Sequence, residues 1–280
     1  MGTVPLILDE FFFIKEFCSI EKMIELIFLG TGGSVATCER DNTSFLIRLD
    51  QKIVLVDCPG SLVQKIKKLN LNPFEVNSIL VTHIHPDHIY GLPSFIHSLM
   101  LYEGRIRILG SEETIHFCRK LLDLFELQDK EIKIRVDFIP LEPGVNFQLS
   151  DSLEVTSLRV SHSESSLAYN FRFKEGKKEL IYSGDTSPNP FLFQEAEGKD
   201  YLIHDCSAPS RFFIQYPSLS TMHTHSLELG KISQKAGVKC LIPCHFFGEV
   251  EFSLSEIEGE IRRNYKGRLI IPKDFERIKL

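Results

Sequence analysis

The sequence predicts an α+β fold, a four-layered αββα sandwich. Short apolar or alternating runs, which are typical of strands, fill much of the chain, and segments with helical spacing lie between them. The 280 residues are 43% hydrophobic, which is enough to bury a large core. Helices that cover the outer faces of stacked sheets give this layered arrangement.

The first half of the chain alternates strands and helices that glycine or polar turns separate. In order we predict a strand over 24–29 ending at the glycine turn 30–33, a hairpin of 44–48 and 53–57 around a turn at 49–52, a helix over 62–69, a strand over 78–82, a helix over 86–102 broken near Gly91 and Pro93, a strand over 106–109, and a helix over 112–127 capped by Ser111.

The second half of the chain is rich in strands up to residue 183, and from residue 201 strands alternate with helices. We predict strand segments at 132–139, 147–160, 169–173 and 179–183, followed by a strand over 201–205, a helix over 225–235, a strand over 240–246, a helix over 254–265 and a strand over 268–272. Neither a repeat nor a linker divides this chain, so we predict one domain over 23–280.

Residues 1–22 are predicted to be an N-terminal extension, either a short amphipathic helix or a disordered segment. The stretch 4–20 is apolar, but Asp9, Glu10, Lys15 and Glu16 interrupt it and no basic region precedes it. These features do not fit a signal peptide or a membrane-spanning helix. Met23 is an alternative start.

Composition favours a protein of the cytoplasm without a membrane partner. The formal net charge of -6 gives no overall attraction to nucleic acid or to an anionic membrane, although a local basic groove stays open. The seven cysteines are odd in number and irregularly spaced, which indicates reduced thiols rather than disulfides.

The segment 83–88 carries three histidines and one aspartate, His83, His85, Asp87 and His88. It follows an apolar strand, and an extended backbone would turn the rings of His83 and His85 to one side. Pro86 then turns the chain and brings the other two from another direction. Imidazole and carboxylate groups suit Zn²⁺, and also Mn²⁺ or iron, so we favour a metal site over a chance surface cluster.

This His-x-His-x-Asp-His segment resembles the signature of the metallo-β-lactamase fold. The resemblance implies further ligands at strand ends downstream, and His162, Asp185 and His245 occupy such positions. It implies two divalent metal ions, the first held by His83, His85 and His162, the second by Asp87, His88 and His245, with Asp185 between them. Asp57 resembles an aspartate that supports the metal loop in this family, unless it is a strand-end cap.

The stretch from His223 to Gly237, and on to His245, resembles the ribonuclease Z branch of that family. The resemblance aligns His223 with the family's catalytic histidine, as a general acid or phosphate-stabilising group, with His225 in reserve and Asp87 as the catalytic carboxylate. Asp205 is expected either to orient a catalytic histidine or to serve a buried structural role.

The chain also departs from the ribonuclease Z pattern. The interval from His162 to Asp185 has room only for two strands and a turn at 174–178, and thus for no tRNA-binding arm. His245 is followed by Phe-Phe-Gly-Glu-Val rather than by the Ser-x-Arg-Tyr type of sequence. We therefore predict a phosphodiesterase that uses a metal-bridging hydroxide on a small or cyclic phosphodiester.

Three alternatives stay open at this point. A tRNA 3′-endonuclease of the ribonuclease Z type would need RNA recognition from a partner subunit or from another surface. A lactonase or thioesterase can use the same kind of site, and a non-catalytic binding protein is the third alternative. A homodimer is also left open by the sequence.

Overall fold

The computed structural model describes residues 24–49 and 52–280. The predicted extension 1–22, residue 23 and the middle of the turn at 49–52 lie outside the described residues. Among the described residues, no helix has the length and apolar character that a membrane crossing requires.

The strands form two sheets of seven strands each. In chain order the strands are β1 (Ile24–Gly30), β2 (Ser44–Leu49), β3 (Lys52–Val56), β4 (Val76–Leu80), β5 (Gly104–Gly110), β6 (Ile134–Pro140), β7 (Asn146–Ser150), β8 (Leu153–Arg159), β9 (Leu167–Phe173), β10 (Glu179–Tyr182), β11 (Tyr201–Asp205), β12 (Cys240–Cys244), β13 (Arg268–Leu269) and β14 (Arg277–Lys279).

Helices fill the connections between these strands. They are α1 (Leu62–Lys68), α2 (Pro86–Ile89), α3 (Leu92–Ser98), α4 (Glu112–Leu124), α5 (Pro190–Glu195), α6 (Ser210–Gln215), α7 (Ser226–Lys235) and α8 (Leu254–Arg262), with short 3₁₀ helices at Pro73–Glu75 and Pro217–Thr221.

The first sheet has the order β14-β1-β2-β3-β4-β5-β6, and the second the order β13-β12-β11-β10-β9-β8-β7. In each sheet an antiparallel part continues into a parallel part, which starts at β3 in the first sheet and at β10 in the second. The carboxyl ends of the parallel strands therefore lie at the same end of each sheet.

The apolar core is layered as the sequence predicts. Side chains from both sheets, among them Phe28, Phe45, Tyr169 and Phe171, pack in the interface between the sheets. A second cluster lies between the first sheet and the helices α1, α3 and α4. A third lies between the second sheet and α5, α7 and α8. The αββα prediction is confirmed.

Several predicted boundaries differ from the observed ones for local reasons. The segment 86–102 forms two short helices because Gly91 packs on the chain at Pro59, where a Cβ would lie 1.8 Å from the carbonyl oxygen. The predicted helix 112–127 ends at Leu124, since Glu126 has a left-handed backbone with φ 56°. The strand-rich segment 147–160 forms the antiparallel hairpin of β7 and β8.

The described elements that were not predicted are α5, α6, the two 3₁₀ helices and the strand β14, which pairs with β1. The predicted strand 268–272 is regular only over Arg268–Leu269, and the predicted helix 254–265 ends at Arg262. The cysteines of the described chain are all free thiols.

Candidate active site

The predicted ligand side chains follow the carboxyl ends of strands from both sheets. His83 and His85 lie in the loop after β4, and Asp87 and His88 lie on the short helix α2. From the second sheet come His162 after β8, Asp185 after β10 and His245 after β12. The structure brings all seven together at one end of the interface between the sheets.

The first group of ligand atoms comprises ring nitrogens of His83, His85 and His162. The Nδ1 atom of His85 lies 3.0 Å from Nε2 of His83 and 3.0 Å from Nε2 of His162. The three nitrogens thus face a common point, and all lie within 4.8 Å of one another.

The second group comprises Asp87, His88, Asp185 and His245, all of them buried. The Oδ2 atom of Asp87 lies 3.4 Å from Nε2 of His88 and 3.4 Å from Nε2 of His245. Asp185 contacts these histidines too, at 3.4 Å from His88 and 3.2 Å from His245. Ligand atoms around a tetrahedral zinc ion, with bonds of about 2.0–2.1 Å, lie about 3.3 Å apart, so this spacing suits a cation.

Asp185 lies between the two groups. Its Oδ2 atom is 3.8 Å from Nε2 of His83 and 3.8 Å from Nε2 of His162, both in the first group. Its Oδ1 atom and the Nε2 atom of His88 are buried without a hydrogen-bond partner. Since unpaired buried polar atoms are costly, a cation at this position would satisfy both, and the donor set fits a pair of divalent metal ions.

The electrostatics of the site reflect this crowding. Burial lowers the pKa of His83 well below its usual value, and the neighbouring His88 lowers it further. Burial also opposes the charged form of His245, yet Asp185 and a hydrogen bond with Asp87 raise its pKa to about 9. The pKa of Asp185, which burial alone would raise, is held well below its usual range by His245 and His88.

Asp57 supports the loop that carries the histidine motif. It is fully buried and accepts hydrogen bonds from the backbone and hydroxyl of Thr82, from the hydroxyl of Tyr182 and from Nδ1 of His88. The Nδ1 atom of His83 contacts the same Thr82 hydroxyl at 3.0 Å. Asp57 thereby fixes the ring orientation of His88 and leaves Nε2 directed toward the ligand group.

The two histidines near α7 differ in position. His223 is 8% exposed and lines the cavity, and its Nδ1 atom lies 2.9 Å from Oδ2 of the fully buried Asp205. His225 is not among the residues that line this cavity. Its Nδ1 atom accepts a hydrogen bond from the backbone of Glu228 and caps α7, while its ring packs against Phe213.

The ligand groups open into a cavity of about 590 Å³. One part of its lining is polar and carries His223 and five of the candidate ligands, His85, Asp87, His162, Asp185 and His245. The rest is largely apolar or uncharged, with one further acid, and comprises Ser34, Tyr216, Ser218, Leu219, Met222, Phe247, Glu249 and Val250. The described lining contains neither lysine nor arginine.

The sequence did not reveal every residue that shapes the site. Tyr182 binds Asp57, and the carbonyl of Met222 accepts a hydrogen bond from Nδ1 of His162 at 2.9 Å. Phe247 and Glu249 reach the cavity from the segment after His245. The departure of that segment from the ribonuclease Z pattern was the available signal for the last two.

Comparison with known proteins agrees with the fold. Ribonuclease Z from Methanosarcina mazei is 24% identical, and the match covers 92% of this chain and 98% of that protein. The metallo-β-lactamase fold protein YhfI from Bacillus subtilis superposes with a TM-score of 0.77 at 18% identity, over 92% of this chain and 99% of the other. The short form of human tRNase Z superposes with a TM-score of 0.72 at 18% identity, over 91% and 98%.

The fold and the histidine motif therefore define a metal-dependent hydrolase of the metallo-β-lactamase fold, in the ribonuclease Z-like branch. Within this class, residues 24–245 match the family described as anti-Pycsar protein Apyc1. The chain belongs to that family.

Proposed function

We propose that the protein is a phosphodiesterase with two divalent metal ions that acts on a small or cyclic phosphodiester. The observation that carries the proposal is the convergence of both ligand groups and the His223–Asp205 pair on one cavity without a basic side chain among its described lining. The negative charge of one phosphodiester would be matched by the metals and His223, whereas a long nucleic acid needs many basic contacts.

The proposal assigns the seven ligands as the resemblance implies. One ion would be held by His83, His85 and His162 and the other by Asp87, His88 and His245, with Asp185 between the two groups. When bound, such ions, most suitably Zn²⁺ and otherwise Mn²⁺ or iron, would lower the pKa of water at the site and polarise the phosphorus–oxygen bonds.

His223 acts in this proposal as the general acid. Its Nδ1–H group donates to Asp205, so Nε2 is free to face the cavity and, when protonated, to donate to a phosphate or leaving-group oxygen. The carboxylate of Asp205 fixes the tautomer and stabilises the imidazolium. Asp87 also lines the cavity, where its carboxylate can accept a proton.

The rest of the cavity suits the organic part of a nucleotide. Tyr216 and Phe247 are the aromatic side chains of its lining, and stacking of one base on an aromatic ring contributes about 1–3 kcal/mol. The β9–β10 hairpin turns through residues 174–178 directly, so the chain has no arm at that position to grip tRNA.

Cleavage of pre-tRNA is the second candidate, and the likeness to ribonucleases Z supports it. We therefore propose to assay bis-p-nitrophenyl phosphate, a panel of 3′,5′-cyclic nucleotides and a pre-tRNA side by side, with the metal content measured on the same sample. We expect about two metal ions per chain and turnover of small diesters. Cleavage confined to pre-tRNA, or a protein without metal after gentle purification, would contradict the proposal.

A further inference from the structure

One wall of the catalytic cavity is built by two chain segments that touch through their backbones. The segment after His245 lies against the glycine turn of the first sheet, and the backbone N–H of Gly33 donates to the carbonyl of Phe246 at 2.7 Å. A Cβ on Gly248 would lie 2.3 Å from the carbonyl oxygen of Val35, so the approach there requires glycine. This close packing fixes the backbone that carries the side chains at 247 and 249.

The side chains of this wall follow one another away from the metal ligands. The ring of Phe247 lies 5.1 Å from the ring of His223 and 6.0 Å from that of His245. Glu249 comes two residues later and lines the same cavity. Four residues span at most about 14 Å, so Glu249 lies within the reach of a single bound nucleotide.

Glu249 is an unusual side chain for a cavity that accepts an anion. Its Oε1 atom accepts a hydrogen bond from the hydroxyl of Ser34 at 2.7 Å. Neither a lysine nor an arginine of the described chain forms an ion pair with it, and no described residue donates to Oε2. A carboxylate so placed repels a second anionic group and binds an N–H donor.

We infer that Glu249, held in place by Ser34, determines which substrate is used by accepting a hydrogen bond from an N–H group on the edge of the substrate's base. The inference rests on the proposed function. With the phosphate at the metal ligands and the base against Phe247, the edge of the base that is remote from the ribose lies toward Glu249. An amino group there donates to the carboxylate, whereas a base without it leaves the exposed Glu249 carboxylate to solvent.

The test compares 3′,5′-cyclic AMP with the 3′,5′-cyclic phosphate of purine riboside, which differs only by the missing 6-amino group. We expect the wild type to prefer cyclic AMP about tenfold in kcat/KM, and Glu249→Gln to reduce that preference, because a neutral amide oxygen is a weaker acceptor than a carboxylate. Glu251→Gln is the matched control, since Glu251 lies in the same segment but does not line the catalytic cavity. It should keep the preference.

Equal kcat/KM for the two nucleotides in the wild type, or an unchanged preference in Glu249→Gln, would overturn the inference. Failure of the proposed function looks different, because neither cyclic nucleotide is then turned over. In that case calorimetric binding of AMP and of purine riboside 5′-monophosphate decides, and equal affinities of the wild type for the two would reject the role of Glu249.

Discussion

Replacing His223 by alanine is expected to abolish most turnover while the metal ligands stay in place. The ring stands at the cavity wall and is bonded to Asp205 on the side away from it, so its loss leaves the leaving group without a positioned acid. General acid catalysis contributes about 10²–10⁴-fold, and we expect kcat of His223→Ala to fall by that factor, about 3–5 kcal/mol in the barrier.

His225→Ala provides the matched control because it removes the same ring two residues away. In the structure that ring caps α7 and contacts Phe213. Loss of the cap is expected to cost about 1 kcal/mol of stability and to lower Tm by about 2–4 °C. Since the ring is outside the cavity lining, kcat should stay near that of the wild type.

The assay measures kcat and KM on bis-p-nitrophenyl phosphate, together with metal content and Tm, for both variants. We expect His223→Ala to have the metal content and Tm of the wild type but a lower kcat. We expect His225→Ala to have a lower Tm but the metal content and kcat of the wild type. If kcat survived in His223→Ala and disappeared in His225→Ala, the role given to each histidine would be refuted.

Three further predictions concern the groups that support the site. Asp205→Asn keeps the shape but removes the charge behind His223, so kcat should fall about tenfold or more, as steady-state kinetics would show. Asp57→Asn should lower metal affinity about 10–100-fold in a competition with a chelator, because His88 loses its charged partner. In the metal-free protein Asp185 raises the pKa of His245 to about 9 against the burial that lowers it, whereas unfolded histidine titrates near about 6.5. The contribution of protonated His245 to the free energy of unfolding is complete below about pH 6.5 and is lost as the pH rises through about 9. Urea unfolding across this range should therefore give a free energy of unfolding that falls with rising pH, and a free energy that does not change with pH would contradict the raised pKa of His245.

The histidine motif could be singled out as a candidate metal site because it depends on local sequence. A strand followed by His83, His85, Asp87 and His88 puts four ligands on one short stretch, whose geometry follows from strand alternation and one proline turn. The later candidate ligands came from the resemblance, which implies ligands at strand ends. Which metal each residue would contact came only from the resemblance, since sequence spacing carries no distances across the sandwich.

The features that could not be predicted depend on contacts between residues that are far apart in the sequence. Tyr182 reaches Asp57 from the other sheet, and His162 is oriented by the carbonyl of Met222. The register of His223 and His225 was similarly undecided, because either histidine could precede a helix. The structure separates them since α7 begins at Ser226, which makes His225 its cap and leaves His223 on the cavity side.

The division of the site between two sheets has a consequence for stability. The first sheet contributes the histidine motif and Asp57, and the second contributes His162, Asp185 and His245, so neither sheet alone holds a complete ligand group. Two tyrosines of the second sheet join the halves directly beneath the site, Tyr169 by donating to the carbonyl of Val81 and Tyr182 by donating to Asp57. The ligand groups therefore exist only when the sandwich is closed, and metal that binds this state alone stabilises the folded chain by mass action. Removal of metal should for that reason weaken the packing between the sheets and also reduce the catalytic activity.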